Sequence, residues 1–155
     1  MAEKSKLYVF DLDGTLANID HRLHFIKDGA KDWDGFFAAC PQDAPVAWVI
    51  ELAGLCAYGG NLLILSGRNE RVREQTVQWL NQHYVPIAQL LMRPEKDFRP
   101  DEVLKLEMLR DYLAQRPDLE LVFIVDDRQR VVDMWRREGF NVLQCQAWQE
   151  ESVHA

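Results

Sequence analysis

The segment Leu7-Tyr8-Val9-Phe10-Asp11-Leu12-Asp13-Gly14-Thr15 decides how the rest of the chain is read. Four apolar residues in succession suit a strand buried on both faces, and the change to Asp, Gly and Thr marks its exit into a loop. Two carboxylates two residues apart would repel one another at neutral pH, because a free Asp has a pKa of about 3.9. A bound cation or a shared proton is needed to hold them together, and such paired acids point towards metal-assisted phosphoryl chemistry.

Four more β-branched or aliphatic runs follow, at Asn61 to Leu65, Ala88 to Met92, Leu121 to Val125 and Asn141 to Gln144. Helical patterns alternate with them, at Ala44 to Tyr58, Glu70 to His83, Asp101 to Gln115 and Gln129 to Glu138. For the first of these helices Asp43 suits an N-cap, Pro45 the first turn and Gly59-Gly60 the stop. Strict alternation predicts an α/β fold: a doubly wound, parallel five-stranded sheet with helices on both faces. Ligands of such sheets sit at the carboxyl ends of the strands. Three of those ends carry polar groups: Asp11 and Asp13, then Ser66-Gly67-Arg68, then Asp126-Asp127-Arg128.

Residues 17–42 break the alternation and are rich in charge and aromatics, which predicts a small helical cap insert over the site. They are too few to build a core of their own, so one domain over residues 1–155 is expected. Neither the apolar runs nor the N-terminal residues 1–6 suit a membrane span or a signal peptide, and a soluble, cytoplasmic protein is expected. Cys40, Cys56 and Cys145 are odd in number and widely spaced, against a disulfide framework or a zinc site. A net charge of −7 opposes extended binding along a nucleic-acid backbone, so any such substrate would be gripped locally.

Phosphate monoesters resist an anionic nucleophile, so a site for their hydrolysis needs a cation, fixed donors and a proton source. Asp11 is the candidate nucleophile, forming an aspartyl-phosphate. Asp13 would protonate the leaving oxygen and then take a proton from water. Asp126 and Asp127 complete an oxygen-rich set with these acids, which suits Mg²⁺ better than zinc or copper. Ser66 would donate to a phosphoryl oxygen, with Thr15 and Gly67 as neighbouring substrate-binding candidates. Lys105, one turn into a helix that Asp101 could cap, would hold its ammonium against the phosphate. Each piece alone also reads as ordinary structure: a turn, a cap or a solvated helix face. Their order at successive strand ends is what favours the chemistry.

Asp11-Leu12-Asp13-Gly14-Thr15, Ser66, Lys105 and Asp126-Asp127 resemble, in that order, the four motifs of the haloacid dehalogenase superfamily of phosphatases. Asp13 to Ala17 with Arg22, Ser66-Gly67-Arg68, Arg99 to Lys105 and Asp126 to Arg136 narrow the likeness, because they closely resemble the 3'-phosphatase domain of phage polynucleotide kinase. This resemblance implies a Rossmann-like sheet, with Asp11, the backbone carbonyl of Asp13 and Asp126 or Asp127 on magnesium. It also implies that Arg22 and Arg68 position the phosphate or the flanking nucleotide. No Gly-x-x-x-x-Gly-Lys-[Ser/Thr] loop occurs, so the kinase half of that enzyme has no counterpart in these residues.

The expected substrate is a phosphomonoester: a DNA or RNA 3' end, or a nucleotide. A phosphatase of another small metabolite, such as a 5'-nucleotide or sugar phosphate, and a non-catalytic phosphate-binding module are the alternatives. Trp33, Phe36 and Phe37 are read mainly as packing for the insert, with Trp33 the best candidate for stacking on a base. His21 and His24 read as solvated or substrate-facing. Arg93, Lys96 and Arg99 form a basic cluster that is either a solvated loop or a steering patch for anions.

Overall fold

The computed structural model describes residues 2–86 and 89–147. Five parallel strands form the main sheet: β1 (Ser5–Phe10), β4 (Asn61–Asn69), β5 (Gln89–Arg93), β6 (Leu119–Asp126) and β7 (Val142–Gln144), in the order β5-β4-β1-β6-β7. The chain therefore winds outward from β1 in one direction and returns to wind outward in the other. That reversal opens a crevice at the carboxyl end of β1, between β4 and β6.

Period-two side-chain alternation assigns each strand's residues to two cores. Leu7 and Val9 of β1 join Leu63 and Leu65 of β4 against α4 (Asp101–Gln115) and α5 (Gln129–Arg137), through Leu109, Val131, Met134 and Trp135. Phe10, Leu62 and Ile64 face the other way, against α2 (Ala47–Gly59) and α3 (Arg73–Gln82), through Val49, Ala53, Trp79 and Leu80. The second core continues beneath the insert, where Ile19, Ile26, Phe36 and Cys40 are buried in the same cluster.

The insert hangs from a two-stranded antiparallel ribbon, β2 (Ala17–Asn18) with β3 (Ala44–Pro45). Between them run a 3-10 turn (Asp20–Phe25), the short helix α1 (Trp33–Ala38) and a second 3-10 turn (Cys40–Gln42). Two expectations are corrected here. The helix expected from Ala44 begins at Ala47, because a residue before proline is pushed towards extended backbone, and Ala44-Pro45 pairs with the ribbon instead. Asp43 does not cap α2: the N-cap is Val46, and the Asp43 side chain is buried among arginines.

The remaining boundaries shift modestly. β4 runs past Leu65 to include Ser66-Gly67-Arg68, with a register irregularity before Asn69. A 3-10 turn, Glu70–Val72, precedes α3, and the Asn69 side chain accepts from the Arg71 N–H at its start. Asp101 opens α4 as a helical residue rather than its cap, which is Pro100. Ala88, the expected start of the third strand, and the acidic tail 148–155 lie outside the described residues. Cys40, Cys56 and Cys145 are all free thiols. No helix among the described residues is long and apolar enough to cross a membrane.

Candidate active site

A cleft of about 680 Å³ opens at the carboxyl ends of β1, β4 and β6, beneath the insert. Asp11, Asp13, Ser66, Arg68, Lys105, Asp126 and Asp127 line its floor. Each arrives by a different local route. Asp11 and Asp126 leave adjacent buried strands, paired at Phe10 and Val125, so their carboxylates emerge side by side. Lys105 reaches them from the second turn of α4.

Lys105 Nζ donates to Asp11 Oδ1 at 2.7 Å and to Asp126 Oδ2 at 3.2 Å. The Thr15 hydroxyl lies 2.9 Å from Asp11 Oδ2 and 3.3 Å from Asp127 Oδ1. Asp126 is fixed further by the Trp135 indole N–H at 3.3 Å and by accepting the Asp127 backbone N–H at 2.9 Å. The hydroxyl of Thr15, a substrate-binding candidate by sequence, ties two of the acids together.

Asp11, Asp126 and Asp127 each offer an oxygen within 4.8 Å of the others, all three residues being buried. Burial pushes the Asp11 carboxyl above its ordinary range, the Asp126 charge adds to the rise, and Lys105 partly offsets it. Asp127 is pushed up strongly by burial and then by the charges of Asp11 and Asp126. Three buried carboxylates against one ammonium do not remain ionised together without further positive charge. Their hard oxygen donors and their charge fit a divalent cation such as Mg²⁺. Close packing enforces the grouping: Gly14 has φ +85°, and a Cβ there would overlap the Asp127 carboxylate.

Asp13 stands apart from this trio. Its carboxylate accepts from Arg22 Nη2 at 2.9 Å and from both Nε and Nη2 of Arg68. Burial alone would raise its pKa, but the charges of Arg68 and then Arg22 outweigh this and hold it at about 2. The crowding expected between Asp11 and Asp13 is thus relieved by separate cations, and the acids that crowd Asp11 come from the end of β6.

Arg68 lines the cleft and also donates to Thr76 Oγ1 at 3.0 Å. Arg22 is sealed behind Asp13, with its guanidinium 4.3 Å from the Phe36 ring centre and bonded to Asp43. Asp43, the functional candidate that sequence reasoning missed, faces both arginines. The available signal was Arg22 itself, since an arginine buried beneath the insert's aromatics needs a counter-charge. His21 is also committed to Asp43, with Nε2 2.7 Å from Oδ1, and the His24 ring packs on Phe25.

Ser66 is buried and its oxygen accepts the Arg68 backbone N–H at 3.0 Å. Gly67 admits the Asp101 carboxylate, which a Cβ would overlap, and Asp101 pairs with Arg93 and Arg128. Arg93 also donates to the carbonyls of Gly67, Asp97 and Arg99, so it braces the 94–100 loop. Arg99 pairs with Asp97 and Glu107 at the rim. On the insert side Trp33 is 46% exposed and faces the same cleft, its ring stacked on Phe37 at 6.0 Å.

The family model described as the polynucleotide kinase PNKP phosphatase domain matches residues 5–149. A candidate bifunctional polynucleotide kinase/RNA ligase of Autographa californica nuclear polyhedrosis virus is 28% identical over 127 residues, 81% of this chain and 17% of that protein. A chain in the solved Pnkp1/Rnl/Hen1 complex superposes with a TM-score of 0.80 and 28% identity, over 96% of this chain and 48% of that one. This chain therefore spans at most about half the length of these relatives. A haloacid dehalogenase-like hydrolase from Streptococcus pneumoniae shares the fold, with a TM-score of 0.62 at 16% identity over 93% of this chain and 85% of that one.

Proposed function

The chain belongs to the family of polynucleotide kinase PNKP phosphatase domains, within the haloacid dehalogenase phosphatases, and on that premise we propose that it is a Mg²⁺-dependent phosphomonoesterase acting on the 3'-phosphate of nucleic-acid ends or nucleotides. The observation that carries this reading is Asp11: a buried carboxylate at the cleft floor, gripped on one oxygen by Lys105 and on the other by Thr15. That grip orients the group for attack along the cleft.

Asp11 attacks phosphorus and forms an aspartyl-phosphate, while the bond to the leaving alcohol breaks and Asp13 delivers a proton to the departing oxygen. Water then attacks the aspartyl-phosphate, Asp13 takes its proton, and inorganic phosphate leaves with Asp11 restored. The arginine clamp keeps Asp13 ionised, as the second step requires. In the first step its carboxyl must leave those arginines and take up a proton, which it then delivers to the leaving oxygen. Asp11, Asp126 and Asp127, with the Asp13 carbonyl, would hold magnesium, which supplies positive charge to these acids and to the phosphoryl oxygens. Ser66 and Lys105 add donors to the phosphoryl group, and Arg68, Thr15 and Gly67 border it.

A panel of 3'- and 5'-phosphorylated oligonucleotides and sugar phosphates, assayed for Mg²⁺-dependent phosphate release, tests the substrate assignment. The 3'-phosphorylated oligonucleotide should turn over fastest. Preference for a sugar phosphate or a 5'-nucleotide would shift the assignment to a small-metabolite phosphatase.

A further inference from the structure

Among the described residues, Trp33 and Phe98 are the two large apolar side chains that are exposed and also border the cleft. They come from different elements: Trp33 opens α1 in the insert, whereas Phe98 lies in the 94–100 loop between β5 and α4. Phe98 is 89% exposed, yet its backbone is pinned on both sides. Arg93 Nη1 donates to the carbonyl before it, Asp97 O, at 3.0 Å, and to the carbonyl after it, Arg99 O, at 2.7 Å. The Arg99 backbone N–H donates back to Asp97 Oδ1 at 3.0 Å. Asn69 Nδ2 ties the start of the loop to β4 by donating to Glu95 O at 3.2 Å. The Phe98 ring is thus held out at the rim by a braced loop and is not the tip of a frayed one.

We propose that Phe98 is a stacking platform for the second base from the 3' end of an unpaired strand, beyond the terminal base that Trp33 takes. This rests on the reading of the chain as a phosphatase of nucleic-acid 3' ends. The scissile phosphate has to reach Asp11 at the floor, so the terminal nucleotide lies deepest and the one before it lies towards the rim. Exposure orders the two rings in the same way: Trp33 is half covered and stacked on Phe37, whereas Phe98 is almost wholly in water. Cations accompany the rings on the insert side. Lys31 Nζ lies 5.8 Å from the Trp33 ring centre, and the Arg71 guanidinium lies 5.0 Å from that of Phe37. Rings for bases beside cations for the backbone are what single-strand binders combine, and a purely apolar ligand would make no use of the charges.

Steady-state kinetics with Mg²⁺ compare a 3'-phosphorylated dinucleotide with a nucleoside 3'-phosphate, in wild type, Phe98→Ala, Phe98→Leu and Phe98→Tyr. Wild type should show the lower KM for the dinucleotide. Phe98→Ala should raise the dinucleotide KM about 5- to 150-fold relative to that of the mononucleotide, the loss expected for one stacked base. The dinucleotide kcat should change little, because such binding is shared by ground and transition states. Phe98→Leu should lose most of the same advantage and Phe98→Tyr should keep it, since the aromatic face is what the base requires. The melting temperature should not move, because the side chain is exposed. Equal KM values for the two substrates in wild type, an equal rise for both in Phe98→Ala, or a Phe98→Leu variant that matches wild type overturns the proposal. Absence of phosphate release from both nucleotide substrates by wild type would instead overturn the functional reading itself.

Discussion

Asp11, Asp126 and Asp127 meet in a buried space where Lys105 is the cation that touches two of them. The raised pKa values of Asp11 and Asp127 fix the sign of a stability effect. An acid whose folded pKa lies above its unfolded one binds more protons when folded, so stability falls as pH rises above the ordinary carboxylate range near 3.8. Asp13 works in the opposite sense, but its contribution is complete above that range and constant from pH 5 to 8. Metal-free protein should therefore lose melting temperature between pH 5 and 8 at these acids, and Mg²⁺ should restore it. Binding at a hundredfold excess over Kd adds about 2.7 kcal/mol, or roughly 5 to 10 °C for a domain of this size. The check is thermal unfolding with EDTA and with Mg²⁺ at both pH values. A Mg²⁺-induced gain that fails to grow with pH would contradict this account of the three acids.

Residue identity was legible at this scale, but partner choice was not. Asp11, Ser66, Lys105, Asp126 and Asp127 come to one floor because each follows or faces a strand end, and strand ends can be read from apolar runs. Asp13 and Asp43 could not be assigned their arginines, because those pairings cross 9 to 55 positions of sequence and depend on how the insert folds back. A lone Asp ahead of Ala-Pro resembles a helix cap in any local window.

At the scale of elements, the insert is the part that alternation did not describe. α1 is six residues long, too short to display a helical period, and it is started by Asp32, which accepts the Gly35 N–H at 2.9 Å. Phe36 supplies the burial that holds it down, as the packing view of the aromatics requires. Trp33 differs: it meets Phe36 edge-on at 5.7 Å, leaves about half its surface exposed and borders the cleft. Arg71, from the turn after β4, straps this helix through Asp34 at 2.9 Å and lies over the Phe37 ring. Base stacking on an aromatic side chain contributes about 1 to 3 kcal/mol in single-strand binders. Trp33→Ala should accordingly raise KM for a nucleotide substrate by roughly 5- to 150-fold while leaving hydrolysis of a minimal aryl phosphate intact. Equal losses on both substrates would assign Trp33 to packing alone.

At the scale of the whole molecule, the order β5-β4-β1-β6-β7 is what places the chemistry. Parallel strands buried on both faces have to be continuous apolar runs, so the strands and the helices between them could be read from the chain directly. Right-handed crossovers put the helices on both faces, and the crevice follows from the reversal of strand order at β1. The ribbon β2-β3 escaped notice because two-residue strands carry no period, although Pro45 disfavours a helical Ala44.

The role of Asp11 as nucleophile can be measured by mixing the protein with an oligonucleotide carrying a radiolabelled 3'-phosphate in the presence of Mg²⁺. Acid quenching within a single turnover, followed by mapping of the label, should find it on the peptide containing Asp11, with neither label nor turnover in Asp11→Asn. Full phosphate release by Asp11→Asn, or label confined to another residue, would contradict that role.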